Sequence, residues 1–237
     1  MNFVILGAGI SGLATAWTLL ARGHRVHLLE RGVVGSESSW AGAGILSPLL
    51  PWDYPDSVTD LCLAAMRQYG DWVAGAEAVA GGSAEFWRCG MEIRAATNID
   101  AALAWCARRD VAVEARGDTL WLPDIAQARN PRLAAVLNVA IRARGGQISE
   151  YSEAQAIDVA GGRAVNVRTA SGDYACDELV VATGAWAGLP LPGLTAPPHI
   201  RPVRGQMLQF ELAPVEQNPG ALGRVLYRAG LYLVPRR

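Results

Sequence analysis

The sequence predicts an α/β fold, on three observations. Residues 2–30 read strand, glycine turn, helix, strand, the order of a parallel βαβ unit. Residues 178–182 read as a second buried strand, apolar from Leu179 to Ala182 and ending in Thr183-Gly184, as a buried parallel strand does. Helical and strand-like stretches punctuated by Gly and Pro fill the rest of the 237 residues, a length for one or two domains.

In order along the chain, residues 2–6 are a short apolar strand centred on Val4 and Ile5. Gly7-Ala8-Gly9-Ile10-Ser11-Gly12 is the turn, 13–22 a helix stopped by Gly23, and 25–30 a strand with Val26, Leu28 and Leu29 apolar. A small-residue loop covers 31–48, a helix 58–80, a strand 87–96 and an amphipathic helix 99–109. Asn130-Pro131 starts a helix that runs to about 144 and stops at Gly145-Gly146. Residues 155–182 hold three strands, with turns at Gly161-Gly162 and Ser171-Gly172. After the Pro-rich connection 190–198, strands are expected at 203–212 and 225–235, the latter broken near Arg228-Ala229-Gly230.

Composition narrows the chemistry. Hydrophobic residues are 51% and charged residues 18%, which excludes a disordered chain. Net charge is −1, so nucleic acid is not an expected partner. All 21 basic residues are Arg, which excludes a lysine Schiff base, a P-loop lysine and a lysine base. The four cysteines are scattered without a C-x-x-C pair and there are three histidines, so no metal site is expected. Residues 3–21 are uncharged, but no basic residue precedes Arg22 and three glycines interrupt the run. Neither a signal peptide nor a membrane span is expected, and the expected location is cytoplasmic.

Gly7-x-Gly9-x-x-Gly12 sits between a strand and a helix, the context that gives this spacing meaning. Gly7 permits the turn, Gly9 lets backbone approach a pyrophosphate, and Gly12 lets helix and strand pack closely. The helix N-terminus, at Ile10 and Ser11, offers N–H donors to phosphate. Glu30 lies 18 residues after Gly12 at the end of the second strand. Its carboxylate can accept both ribose hydroxyls and would repel a 2′-phosphate, or it can be a solvated strand end. These features leave FAD and NAD both open. The strand ending Ala182-Thr183-Gly184 allows close approach to a ribityl-pyrophosphate, although an ordinary strand with a Gly turn reads the same. The run SESSWAGAGILSP at 36–48 could pass beside a flat ring system, with Ser38 and Ser39 on phosphate, or serve as a linker.

Together GAGISG, Glu30-Arg31, SSWAGAGILSP, VVATGAWAG, PVRGQ and LYLVPRR resemble the FAD-dependent amino-acid oxidase family, and within it the glycine oxidases of thiamine biosynthesis. The resemblance implies FAD as cofactor, with Ile10 and Ser11 on its pyrophosphate and Glu30 and Arg31 at the adenosine ribose. It places Ser38, Ser39, Ala43, Gly44 and Ile45 along the phosphate and isoalloxazine side, and the backbone of Ala154 at adenine. Ala182 and Gly184 close the cofactor side. Tyr232 matches the family's substrate-pocket tyrosine; packing in a core is its alternative role.

The resemblance also implies a Rossmann-like FAD-binding domain, residues 1–85 and 129–196, with a second, mostly antiparallel α+β substrate domain, 86–128 and 197–237. Family members continue past the final VPRR, so both domains are expected to be incomplete. The implied reaction oxidises glycine or another small amine or amino acid to the imine, with O2 reduced to hydrogen peroxide. Alternatives are a sarcosine or D-amino-acid oxidase or dehydrogenase, and a non-catalytic FAD- or nucleotide-binding chain. A homo-oligomer is compatible with the sequence.

Overall fold

The computed structural model describes residues 1–47, 50–197, 199–211 and 222–236. In chain order they form β1 (Asn2–Leu6), α1 (Ile10–Ala21), β2 (Arg25–Leu29), β3 (Ile45–Leu46), α2 (Asp56–Ala80), β4 (Trp87–Arg88), β5 (Met91–Ile93) and α3 (Ile99–Arg109). Then follow β6 (Glu114–Arg116), β7 (Thr119–Leu122), β8 (Ala126–Gln127), α4 (Asn130–Ala143), β9 (Gln147–Ser149), β10 (Ala154–Ala160), β11 (Arg163–Thr169), β12 (Gly172–Ala175), β13 (Glu178–Val181), β14 (Val225–Arg228) and β15 (Leu231–Leu233). The chain divides into two compact units, one of residues 1–42, 74–84 and 130–207, the other of 43–73, 85–129 and 208–237.

The first unit is built on a parallel sheet of order β13-β1-β2-β9. Val4, Ile5 and Leu6 are buried on both faces of β1, as a central parallel strand requires. α1 follows directly from the glycine turn and buries Gly12, Leu13, Ala16 and Trp17 at helical spacing. α4 buries Leu133, Leu137, Ala140 and Ile141 in the same way. The antiparallel sheet β10-β11-β12 caps the other face. Val167 and Cys176 pack there with Val4, Leu6 and Leu29.

The second unit holds a sheet of order β15-β14-β5-β7-β6, in which only the β14–β5 pair is parallel. Its core is Met91, Ile93, Leu120, Leu122, Ile125 and Val225, with Ala102 contributed by α3. A small antiparallel sheet, β3-β8-β4, ties residue 45 to residue 127 and residue 87 to the same Gln127. Among the described residues no helix is long and apolar enough to cross a membrane.

Several sequence expectations change in the structure. α1 begins at Ile10 rather than at 13, so the last three residues of the glycine motif are its first turn. The strand expected at 87–96 is two short strands, parted at Gly90, which turns with φ +70. The three strands expected over 155–182 are four. No strand forms over 203–211; these residues are exposed and have no ladder partner among the described residues, and residue 212 lies outside them. Residues 43–73 belong with the second unit, because β3 pairs with β8. Residues 197–207 belong with the first. The hairpin of β14 and β15 turns at Ala229-Gly230, where the sequence has its break.

Candidate functional site

The glycine turn has no room for side chains. Gly7 has φ +97, and a Cβ on it would lie 2.5 Å from the Ala182 carbonyl oxygen. A Cβ on Gly12 would collide with the Gly7 carbonyl, so the turn and the helix pack backbone to backbone. At Gly9 a Cβ would meet the Ser39 hydroxyl at 3.0 Å. That hydroxyl accepts the Ile10 N–H at 2.9 Å. Gly9, the N-cap of α1, has no side chain for this, so Ser39 supplies the capping oxygen from a distant loop. The Ser11 and Gly12 N–H groups belong to the same first turn, which has no intrahelical acceptors.

Glu30 closes this turn from below. The residue is buried, with Oε2 accepting the Ala8 N–H at 2.8 Å and Oε1 the Gly32 N–H at 2.8 Å. Each carboxylate oxygen keeps a further acceptor site after these bonds. Beside it, the Arg31 guanidinium lies 3.7 Å above the Trp186 ring and pairs with Glu37 at 3.2 Å.

These groups surround a cavity of about 440 Å³ lined wholly by the first unit. Gly7, Gly9, Ile10, Ser11, Glu30, Arg31, Ser38, Ser39, Ala154, Ala182 and Gly184 all line it. Gly12 does not; it is buried beneath the turn. Sequence reasoning missed Asn130, Glu153, Trp186 and the apolar wall of Leu189, Leu191 and Leu194. Trp186 stood in the quoted VVATGAWAG run, and Asn130 in the helix-start signal, so both were visible without being assigned.

Ala43, Gly44, Ile45 and Tyr232 lie elsewhere, together, around a second cavity of about 460 Å³ within the second unit. Its other walls are Leu46, Ser47, Tyr54, Val58, Cys62, Ala65, Met66 and Tyr69. The face is apolar with three phenols. Burial pushes the Tyr69 hydroxyl above the usual tyrosine range, so it stays a hydrogen-bond donor at neutral pH. Sequence reasoning also missed Arg236, which donates from Nη1 to Gln127 Oε1 at 2.5 Å and from Nη2 to the Ala43 carbonyl at 2.7 Å.

The family model for FAD-dependent oxidoreductases matches residues 2–237. The chain belongs to this FAD-dependent oxidoreductase family. A glycine oxidase of Pseudomonas putida is 33% identical over 99% of the chain and 67% of its own length. A bifunctional ThiO/ThiG protein of Synechocystis is 34% identical over the whole chain and 37% of its own length. The solved glycine oxidase of Bacillus cereus has a TM-score of 0.70 at 21% identity, over 78% of this chain and 55% of that one. That likeness is one of fold. The chain spans about two thirds of the length of the curated glycine oxidases it matches and about half that of the solved ones.

The first cavity fits the family's cofactor on structural grounds. Its glycine cradle admits no Cβ at Gly7 or Gly12, helix α1 aims its N-terminus at the lining, and a buried carboxylate ends β2. Backbone N–H groups and a helix dipole suit a pyrophosphate, and the Glu30 carboxylate suits vicinal hydroxyls.

Proposed function

We propose that this chain works as an amine oxidase of the glycine-oxidase kind. It would oxidise glycine or another small amine or amino acid to the imine, with O2 reduced to hydrogen peroxide. The observation that carries the reading is the 33% identity to a glycine oxidase along 99% of the chain. A thiamine-pathway role is supported by relatives named for that pathway, among them a putative thiamine biosynthesis oxidoreductase of Rhizobium etli, 32% identical over the whole chain.

In this reading the Ser11 N–H at the start of α1 faces the FAD pyrophosphate, Ile10 lies beside it with its own N–H given to Ser39, and Glu30 accepts the adenosine ribose hydroxyls. Ser38 lies on the phosphate side, and Ser39 keeps the helix N-terminus in place by accepting the Ile10 N–H. The Ala154 backbone faces the adenine. FAD, when bound, would take a hydride from the substrate's α-carbon and pass the electrons to O2. The second cavity is the substrate's: Tyr232 and Tyr69 offer hydroxyls, and Val58, Ala65, Met66 and Ile45 offer an apolar wall. Nothing in this scheme requires a lysine base, consistent with a chain that has none.

The test is the visible spectrum of the FAD-loaded chain before and after anaerobic glycine. Bleaching of the flavin band is expected, with peroxide produced once air is admitted. A flavin that stays oxidised with glycine, sarcosine and D-alanine overturns the oxidase reading and leaves a nucleotide-binding chain.

A further inference from the structure

Arg236 bridges two stretches of chain that are far apart in sequence. The carbonyl it holds, that of Ala43, lies 193 positions away. The amide it holds, that of Gln127, is fully buried and donates in turn to Cys89 Sγ at 3.7 Å. The same Gln127 pairs with Ile45 across β3 and β8, and the neighbouring Ala128 N–H donates to the Gly44 carbonyl at 3.0 Å. The Ala43 stretch and the stretch that carries Arg236 itself both supply the second cavity. Residues Ala43 to Leu46 form one side, and Tyr232, four positions before Arg236, forms another. Burial and the nearby Arg129 cation pull the Arg236 pKa below the usual arginine value, while Glu85 pulls the other way. The group stays charged, because an arginine starts so far above neutral pH.

We infer that Arg236 is the positioning residue of the second cavity, its forked guanidinium holding the 43–46 wall and the Tyr232 wall in one arrangement. The inference rests on reading that cavity as the substrate's. A planar fork reaches two acceptors at once, the side-chain oxygen of Gln127 and the backbone oxygen of Ala43. A lysine is a point donor and would satisfy one of them well. Gln127 is the second half of the device: it is buried, so its side-chain oxygen is fixed in place, and Arg236 reads that position directly.

The test is backbone hydrogen exchange on the full 237-residue chain, comparing wild type with Arg236→Ala, Arg236→Lys and Gln127→Leu. In Arg236→Ala, peptides covering 43–47 and 231–236 are expected to exchange about tenfold faster, while β1 and α1 peptides are unchanged. Arg236→Lys and Gln127→Leu are expected to fall between, with the same two peptides affected. Unchanged exchange at 43–47 and 231–236 in Arg236→Ala overturns the inference. So does a uniform rise along the chain in Arg236→Lys, the variant least able to disturb folding. In parallel, the FAD-loaded Arg236→Lys chain is titrated with glycine, with KM expected to rise at least threefold more than kcat falls. A wild-type chain that shows no flavin reduction by any amine sinks the substrate reading alone, since the exchange data do not depend on it.

Discussion

The Glu30 carboxylate accepts the Ala8 N–H at 2.8 Å, reaching from the end of β2 into the middle of the glycine turn. The residue assigned to a ribose therefore also holds the loop assigned to the phosphates. Loss of its charge should disturb both. Glu30→Gln replaces one acceptor oxygen with an NH2 that faces a backbone donor, either at Ala8 or at Gly32. We expect a loss of about 2 kcal/mol in urea unfolding of the FAD-free chain, and FAD binding weaker by at least tenfold. A variant with wild-type stability and weakened FAD binding would mean that the carboxylate serves the ligand alone.

Gly7 and Gly81 separate the two reasons a glycine is needed. Both have positive φ, +97 and +69. A Cβ at Gly81 would meet open space, whereas at Gly7 it would meet the Ala182 carbonyl oxygen at 2.5 Å. Gly81→Ala should cost about 1–2 kcal/mol, the left-handed backbone term alone. Gly7→Ala adds a collision of two backbone segments and should cost well beyond that, with the chain recovered largely unfolded. Circular-dichroism melts of the two variants provide the comparison, and equal melting temperatures would refute it.

That these residues gather around the first cavity was legible because they are close in sequence or carry strong local signals. The β1–turn–α1–β2 unit shows an apolar strand, a glycine motif and a helix in 30 residues, and β13 is another apolar run. The second unit was less legible. β3 and β8 are two residues each and exist through pairing across some 80 positions, which no local pattern reveals. β6 and β7 were missed because only Leu120 and Leu122 alternate inward there. The opposite error came at 203–211, where Met207, Leu208 and Phe210 look strand-like but find no ladder partner among the described residues and stand exposed. Arg236 was passed over because its meaning lies in two acceptors, one of them 193 positions away.

Ser39 and Gly9 should be coupled energetically. Ser39→Ala removes the acceptor of the Ile10 N–H and should destabilise the chain by about 1 kcal/mol. Gly9 has φ −72, so an alanine there has no backbone penalty; what stands in its way is the Ser39 hydroxyl at 3.0 Å. Gly9→Ala should therefore cost less in the Ser39→Ala background than in wild type, by about 0.5–1 kcal/mol. A double-mutant cycle on equilibrium unfolding measures this term. An additive cycle would show that the hydroxyl moves aside freely.

His27 sets an acid limit on stability. It lies on β2, half-buried, with Nε2 2.8 Å from Ser149 Oγ and its ring edge-on to Tyr174 at 4.7 Å. Burial lowers its pKa from the usual histidine value of 6.5. The unfolded chain then binds a proton more readily than the folded one, and acid favours unfolding. The stabilisation from the neutral ring is complete above pH 6.5 and is lost as pH falls from there toward the lowered folded value. Glu92, held below the usual carboxylate range by its hydrogen bond to Arg94, adds a loss only below about pH 4.5. The melting temperature should thus fall between pH 7.5 and 5.5, before the carboxylates titrate. His27→Asn, which can keep a hydrogen bond to Ser149 but takes up no proton, should flatten that part of the curve while lowering the pH 7.5 value. A slope between pH 7.5 and 5.5 that is the same in the variant would assign the acid sensitivity to another group.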